Sequence, residues 1–317
     1  MRRKLFAVFA TVAVLLAGAE AFARLYLGFG DPPLTVRDPG IEYLFAPSRT
    51  YDRFGNRISY NAYSMRSDEF ARERTSADEV RILVMGDGVV NGGSLTDQDD
   101  LATTILQRRR EEHGVNAVVG NISAGSWGPG NLLAYTGRFG WFAADIAFIV
   151  LSSHDLADVP AFAEDLGPDF PESPPALALQ EVVVRYLPRY LPAFHSTSTA
   201  APGAAGEGDR SRGARYLRDL LAQAKAAVPH VILLLHPTQE ELARGGTPPD
   251  GEEILNIARD LNVPALVLSH RTAGEGGAGY RDNIHINALG QRLYGELLLC
   301  QTLVVLDLSA AENACRS

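Results

Sequence analysis

Four short segments of this 317-residue chain combine residue types suited to acid–base or nucleophilic chemistry. Gly86-Asp87-Gly88 follows one apolar run, Ser123-Ala124-Gly125 a second, and Ser152-Ser153-His154-Asp155 a third. Asp282-Asn283-Ile284-His285 stands before a long apolar C-terminal stretch. An aspartate three residues before a histidine can hold the imidazole in one tautomer and support it as a base. Histidines and carboxylates also suit metal ions, so His154, Asp155, Asp282 and His285 form an alternative ligand set, though their spacing matches no familiar site. Gly86 and Gly88 evoke a dinucleotide-binding turn, but Asn91 stands where its third glycine is needed, and no acidic residue closes the second apolar run. A plainer role for Asp87 is to cap the turn that follows it. His236 ends a fourth apolar run, where it either faces the same cleft or only caps a strand. His113, His195, His230 and His270 read as surface or loop residues.

Such groups do chemistry together only if a scaffold gathers them. Arg81–Met85, Ala117–Ile122, Ile146–Leu151, Val231–Leu235 and Ala265–Leu268 are short apolar runs. Between and after them, Asp97–Glu112, Asn131–Phe142, Ile254–Leu261 and Ala288–Leu306 have helical patterning. This alternation predicts a three-layer α/β/α domain with a parallel sheet of about five strands, covered on both faces. In open sheets of this kind sites form at the carboxyl ends of the strands, where these segments fall. Asp158–Gly213 interrupts the alternation with several prolines, a predicted helix over Ala176–Tyr190 and a low-complexity stretch, Ser196–Gly213, expected to be a disordered surface loop. Tyr186, Leu187 and Tyr190 fit an amphipathic helix better than a sugar platform. Trp127, beside Gly125, is a candidate substrate wall or a packing residue.

Ahead of the sheet, Arg2, Arg3 and Lys4 precede an apolar run, Leu5–Ala19, the pattern of a signal peptide or signal anchor. Ala21-Phe22-Ala23 resembles a cleavage site, but Glu20 and Arg24 flank it and Leu25–Phe29 is apolar again. An uncleaved anchor over residues 1–29 is the preferred reading, with the basic end cytoplasmic and the remainder exported; cleavage would make the protein secreted. Residues 30–78 are rich in Pro, Arg, Tyr and Asn and read as a stalk or β lead-in, with Arg57–Asn61 extended. Residues 79–317 form the α/β domain. A net charge of −9 argues against a nucleic-acid partner. Cys300 and Cys315 are too few for a disulfide scaffold or a zinc ribbon, though they could pair in an oxidising compartment.

Taken in order, the four blocks resemble those of the SGNH (GDSL-like) hydrolase superfamily over about residues 80–305. The glycine-aspartate-serine block is similar to Gly86–Gly92, and the asparagine-and-glycine block to Asn121–Gly128. The asparagine-aspartate block is similar to Ser152–Asp155, and the aspartate-x-x-histidine block to Asp282–His285, followed by Asn287–Gly290. Asn56–Ser67 also looks like the lead-in of exported, membrane-anchored members. The resemblance implies the SGNH fold, with flavodoxin-like strand order 2-1-3-4-5, no cofactor, and Asp282 and His285 as catalytic residues. It also implies an oxyanion hole from the backbone N–H groups of Gly88 and Gly125 with His154, and supporting roles for Asp87, Asn121 and Asp155.

Two positions depart from the family pattern. Gly88 stands at the nucleophilic serine, so the acyl-enzyme route cannot begin there. His154 stands at the asparagine that donates to the oxyanion, a role a neutral histidine can also fill. Ser94, Ser123 and Ser126 are the nearest hydroxyls, and a water activated by His285 is another route. The resemblance and the compartment imply an ester hydrolase or acyltransferase acting on O-acyl groups of envelope or exported polysaccharide, impaired by Gly88. The alternatives are a pseudoenzyme that binds an acylated glycan or a protein partner, and a metal-assisted hydrolase.

Overall fold

The computed structural model describes residues 1–69, 71–110, 112, 116–164, 166–190, 207–269, 274–306 and 315. Five strands, β5 (Val80–Gly86), β6 (Ala117–Ser123), β7 (Ile146–Ser152), β8 (His230–His236) and β9 (Ala265–Val267), form one sheet in the order β6-β5-β7-β8-β9. Every pairing is parallel. In chain order this is 2-1-3-4-5, the flavodoxin-like arrangement. The strands are apolar at consecutive positions because both faces are covered. Leu83, Met85, Ile149 and Leu233 point into one core layer, and Ile82, Val84, Phe148 and Leu234 into the other.

The first layer is closed by α4 (Pro129–Phe139), α6 (Glu207–Ala227) and α8 (Pro249–Asp260). The second is closed by α2 (Gly88–Asn91), α3 (Ala102–Arg109) and α9 (Ala288–Val305). Helix α7 is Gln239–Arg244. The helix expected over Asp97–Glu112 is shorter: Leu101 is extended and fully buried, and Asp97 caps a separate one-turn helix, 98–100. Helix α4 starts at Pro129 and stops at Gly140, whose φ of 80° suits glycine.

Part of the predicted surface loop is corrected. Residues 207–213 are the first turns of α6, while 196–206 lie outside the described residues. A Cβ on Gly213 would fall 1.8 Å from the Leu156 carbonyl oxygen, and Ala214 is buried. The glycine that helped this stretch read as disorder is what lets the helix approach the loop after β7.

Residues 30–78 carry β-structure. Two antiparallel hairpins, β1 (Thr35–Asp38) with β2 (Glu42–Phe45) and β3 (Arg49–Arg53) with β4 (Asn56–Tyr60), bury Leu34, Tyr51, Ile58 and Tyr60. Helix α1 (Arg2–Leu25) precedes them, with a mean hydropathy of 2.1 over its most apolar window and none of that window buried. Ala178–Tyr190 is one helical run, with α5 (Ala178–Glu181) continuing through wider and then tighter turns. Cys300 and Cys315 are joined as a disulfide.

Candidate active site

The carboxyl ends of β5, β6, β7 and β8 meet the loop that precedes α9. Asp87 leaves β5 and caps α2, its carboxylate accepting the Val89 N–H at 2.9 Å. The next residue, Gly88, does not have a positive φ, so the backbone there does not call for glycine. A Cβ built on it would lie 2.9 Å from His285 Nε2 and 3.8 Å from Gly125 Cα. Gly88, His285 and Gly125 therefore share one point. They line a cavity of about 180 Å3 together with Phe45, Tyr60 and Phe170.

His285 is held from its other side. Asp282 oxygens stand 2.9 and 3.1 Å from its Nδ1. One of them also accepts the backbone N–H groups of His285 at 2.7 Å and Ile284 at 3.0 Å. Partial burial raises the Asp282 pKa, but the His285 and Ile284 N–H groups and the His285 ring outweigh it, so the carboxyl sits below its usual value. An ionised Asp282 fixes Nδ1 as the protonated nitrogen and leaves Nε2 as the acceptor facing Gly88. The backbone N–H groups of Gly88 and Gly125 make no hydrogen bond within the described structure. They remain available as oxyanion donors.

His154 departs from the oxyanion role. Its Nε2 is 3.1 Å from an Asp155 oxygen and 3.9 Å from Asp158, and it does not line the cavity with Gly88 and Gly125. Three carboxylates surround this ring, because Asp87 is within 4.8 Å of both His154 and Asp155. The four-residue ligand set is likewise regrouped: Asp87 joins His154 and Asp155, while Asp282 and His285 pair separately. Asn121 is buried and structural; its amide donates to the Val90 carbonyl at 3.0 Å and to the Thr103 hydroxyl at 3.1 Å, tying β6 to α2 and α3.

Burial, and then the Asp155 charge, push the Asp87 pKa up to about 7, and burial raises Asp155 as well. A carboxyl raised in the fold binds a proton that the unfolded chain has lost. Its contribution is therefore neutral below the unfolded pKa of 3.8, and stability falls as pH rises from there through about 7. Asp87→Asn keeps the acceptor for Val89 and removes the charge. Denaturation midpoints of both proteins at pH 5 and pH 8 should show the asparagine variant's advantage growing from the lower to the higher pH, by up to about 3 kcal/mol. Equal differences at the two pH values would mean that Asp87 is ionised throughout.

Two buried residues position these loops: His236, which the sequence left between facing the cleft and capping a strand, and Arg66, which escaped the sequence reading. His236 is fully buried; its Nε2–H donates to the Ile284 carbonyl at 2.8 Å and its Nδ1 accepts from the Tyr294 hydroxyl at 2.5 Å. Burial lowers its pKa to about 4, so it is neutral and clamps the dyad loop to β8. Arg66, in the lead-in, is also fully buried and donates to the carbonyls of Asn91, Gly93 and Thr96, shaping the loop beside Gly88. A lone arginine between Met65 and Ser67 carries no sequence signal for this. Tyr43 adds a hydroxyl that donates to the Gly125 carbonyl.

Of the candidate hydroxyls, Ser94 lines the cavity, but among the described residues no hydrogen bond joins it to His285. Ser123 is buried and donates to Asn121. Ser126 has a φ of 58° at the turn beyond β6 and does not line the cavity. Trp127 is buried between Tyr43 and Tyr135 and is a packing residue. Tyr186 packs edge-on against Phe29, consistent with an amphipathic helix. His230 is exposed at the start of β8; His113, His195 and His270 lie outside the described residues, as does the side chain of Tyr190.

No protein-family model and no curated protein matches the chain. Among solved structures it is similar to esterases and lipases. The psychrotrophic esterase EstA from Pseudoalteromonas sp. is 14% identical, with 72% of this chain and 98% of that chain covered and a TM-score of 0.44. A putative GDSL-like lipase from Parabacteroides merdae is 11% identical, with 73% and 96% covered and a TM-score of 0.44. The acetyl xylan esterase Axe2 from Geobacillus stearothermophilus is 14% identical, with 72% and 95% covered and a TM-score of 0.41.

Proposed function

We propose that this chain is an SGNH-type ester-hydrolase scaffold that binds O-acylated carbohydrate and retains its acid–base dyad, with Gly88 at the nucleophile position. The observation that carries the reading is the convergence at Gly88: a side chain built there meets His285 Nε2 at 2.9 Å, on a backbone that does not require glycine. Without a hydroxyl, the chemistry left to the site is attack by water. Nε2 of His285 takes the proton, Asp282 supports the imidazolium, and the Gly88 and Gly125 N–H groups stabilise the developing oxyanion. A general base of this kind contributes roughly 10²–10⁴-fold. The chain as it stands should therefore hydrolyse a small aryl acetate slowly, and His285→Ala should remove at least roughly 10-fold of that rate. A rate equal to buffer, or unmoved by the substitution, would leave the second reading, a non-catalytic binder of acylated glycan, which the missing hydroxyl favours.

The location proposed with it is extracytoplasmic, held by α1 as an uncleaved anchor. The basic start, Arg2 to Lys4, sets the cytoplasmic end. The Cys300–Cys315 disulfide fits an oxidising compartment. Cleavage after Ala23 would also discard contacts that α1 makes with the domain: Ala23 is buried against Ala178, and the Glu20 carboxylate accepts the N–H groups of Ala178 and Leu179 at 2.7 and 2.9 Å. Purified protein is expected to keep its N-terminal basic residues, as read by N-terminal sequencing; a mature end at Arg24 would overturn the anchor.

A further inference from the structure

Helix α1 carries an acid where an anchor should be apolar. From Leu5 to Ala19 there are about 15 apolar residues, ~22 Å of helix, against ~30 Å of hydrocarbon to be crossed. A span of sufficient length runs on past Glu20 toward Arg24, which places Glu20 about one turn inside the boundary. The protein answers this by satisfying Glu20 itself. Its carboxylate takes the first N–H groups of α5, Ala178 and Leu179, and pairs with Arg24 at 3.0 Å. Arg24 in turn donates to the Ala176 carbonyl at 3.3 Å. The beginning of the helical run 178–190 is thereby fastened to the anchor at the depth of Glu20.

The two faces of that run differ. Ala178 and Glu181 are buried, and Val182 and Tyr186 pack toward Phe29 and Phe54. The opposite face exposes Leu177 (54%), Val183 (56%), Val184 (53%) and Leu187 (41%). On the adjoining end of α1, Phe22 and Tyr26 stack with centroids 5.2 Å apart and are themselves exposed, the placement of an interfacial aromatic pair.

We propose that segment 177–187 lies in the interfacial layer of the bilayer beside the far end of α1, with Leu177, Val183, Val184 and Leu187 turned to lipid. The occupant of this apolar face is the membrane itself, because the face begins at the residue next to the backbone groups that Glu20 caps. The inference rests on α1 being the anchor proposed above. It also assigns the site a kind of substrate. Arg185, on the same segment, lines the cavity with Gly88 and His285. One wall of the cavity is then set at the bilayer surface, and the ester it takes is carried by a molecule presented there.

The test uses the full chain reconstituted in phosphatidylcholine vesicles, with a single added cysteine carrying an environment-sensitive fluorophore. Val184→Cys and Leu187→Cys probe the segment, Val14→Cys probes the anchor, and Arg244→Cys, on the exposed face of α7, reports the aqueous phase. Doxyl-labelled phosphatidylcholine should quench the labels at 184 and 187 at least roughly threefold more strongly than the label at 244, with aqueous iodide showing the reverse order, as expected of an amphipathic helix in the interface. If the labels at 184 and 187 behave like the label at 244 while that at 14 is quenched by lipid, the inference is overturned and the anchor stands. If the label at 14 is also quenched only from water, the anchor reading fails and the inference fails with it.

Discussion

Gly88→Ser is expected to raise hydrolysis of a small aryl acetate by ~10³-fold or more, and His285→Ala in that background to abolish the gain. The size follows from what the serine adds. On the proposed reading, the Gly88 and Gly125 N–H groups and the Asp282–His285 pair would support only water attack without it. A hydroxyl at position 88 would be held beside its base instead of being recruited from solvent. The geometry sets one condition. The Cβ position is 2.9 Å from His285 Nε2, closer than side-chain atoms pack, so the ring must draw back before the hydroxyl fits between them. It is free to do so: the contact is with the far end of a side chain that is 39% exposed, and Asp282 holds it through Nδ1 alone. Steady-state rates of the parent, Gly88→Ser, His285→Ala and the double variant would decide the matter. A folded Gly88→Ser protein with no added activity would mean that the reacting centre is elsewhere.

Glu181→Ala is expected to cost about 3–5 kcal/mol of stability, because it strands a buried charge. Arg53 has no exposed side-chain surface and Glu181 has 4%. The Arg53 guanidinium donates to both Glu181 oxygens and to the Gly28 carbonyl, and it lies 5.1 and 5.3 Å from the ring centroids of Phe29 and Phe54. Glu181 also accepts the Gly30 N–H at 2.7 Å. This pair joins the second hairpin, the end of α1 and α5, beneath the apolar cluster of Ala23, Phe29, Phe54, Ala178 and Tyr186 that the three parts share. Removing the acid leaves Arg53 with no counter-charge within that contact. Replacing both partners by apolar residues of similar volume, Arg53→Met with Glu181→Leu, should recover most of the loss, since neither charge is then buried. Urea denaturation of the two single variants and the double variant would measure the coupling. A Glu181→Ala protein within about 1 kcal/mol of the parent would indicate that water reaches Arg53, as at a surface pair.

Much of this protein was legible along the chain. The five apolar runs could be placed because a parallel strand buried on both faces needs consecutive apolar residues, and β7, Ile146–Ser152, is buried at every position. The blocks at their carboxyl ends were legible for the same reason, since polar and glycine residues interrupt each run where the strand ends. Asp282 and His285 could be paired from spacing alone, because a three-residue turn lets the carboxylate hold both the backbone and the ring. Helix α1 followed from its basic start and its hydropathy.

What lay across the chain was decided by tertiary structure. A histidine after a strand can donate into a cavity or turn toward acids, and only the placement of Asp87, Asp155 and Asp158 around His154 selected the second. Arg66 looks ordinary in sequence, and His236 could be read two ways; their burial, and the carbonyls they hold, come from segments 25 and 48 residues away. The pairing of Arg53 with Glu181 spans 128 positions. The first turns of α6 read as disorder because they are charged and glycine-containing with no apolar periodicity, and the glycine that breaks the pattern, Gly213, is the one that lies against Leu156. Along the chain, local patterns mark which residues can act and which elements carry them, because strand burial and short turns are local. Which charges share a pocket, and how closely His285 approaches Gly88, come from the packed fold, because burial and long-range contact set each group's partners and protonation.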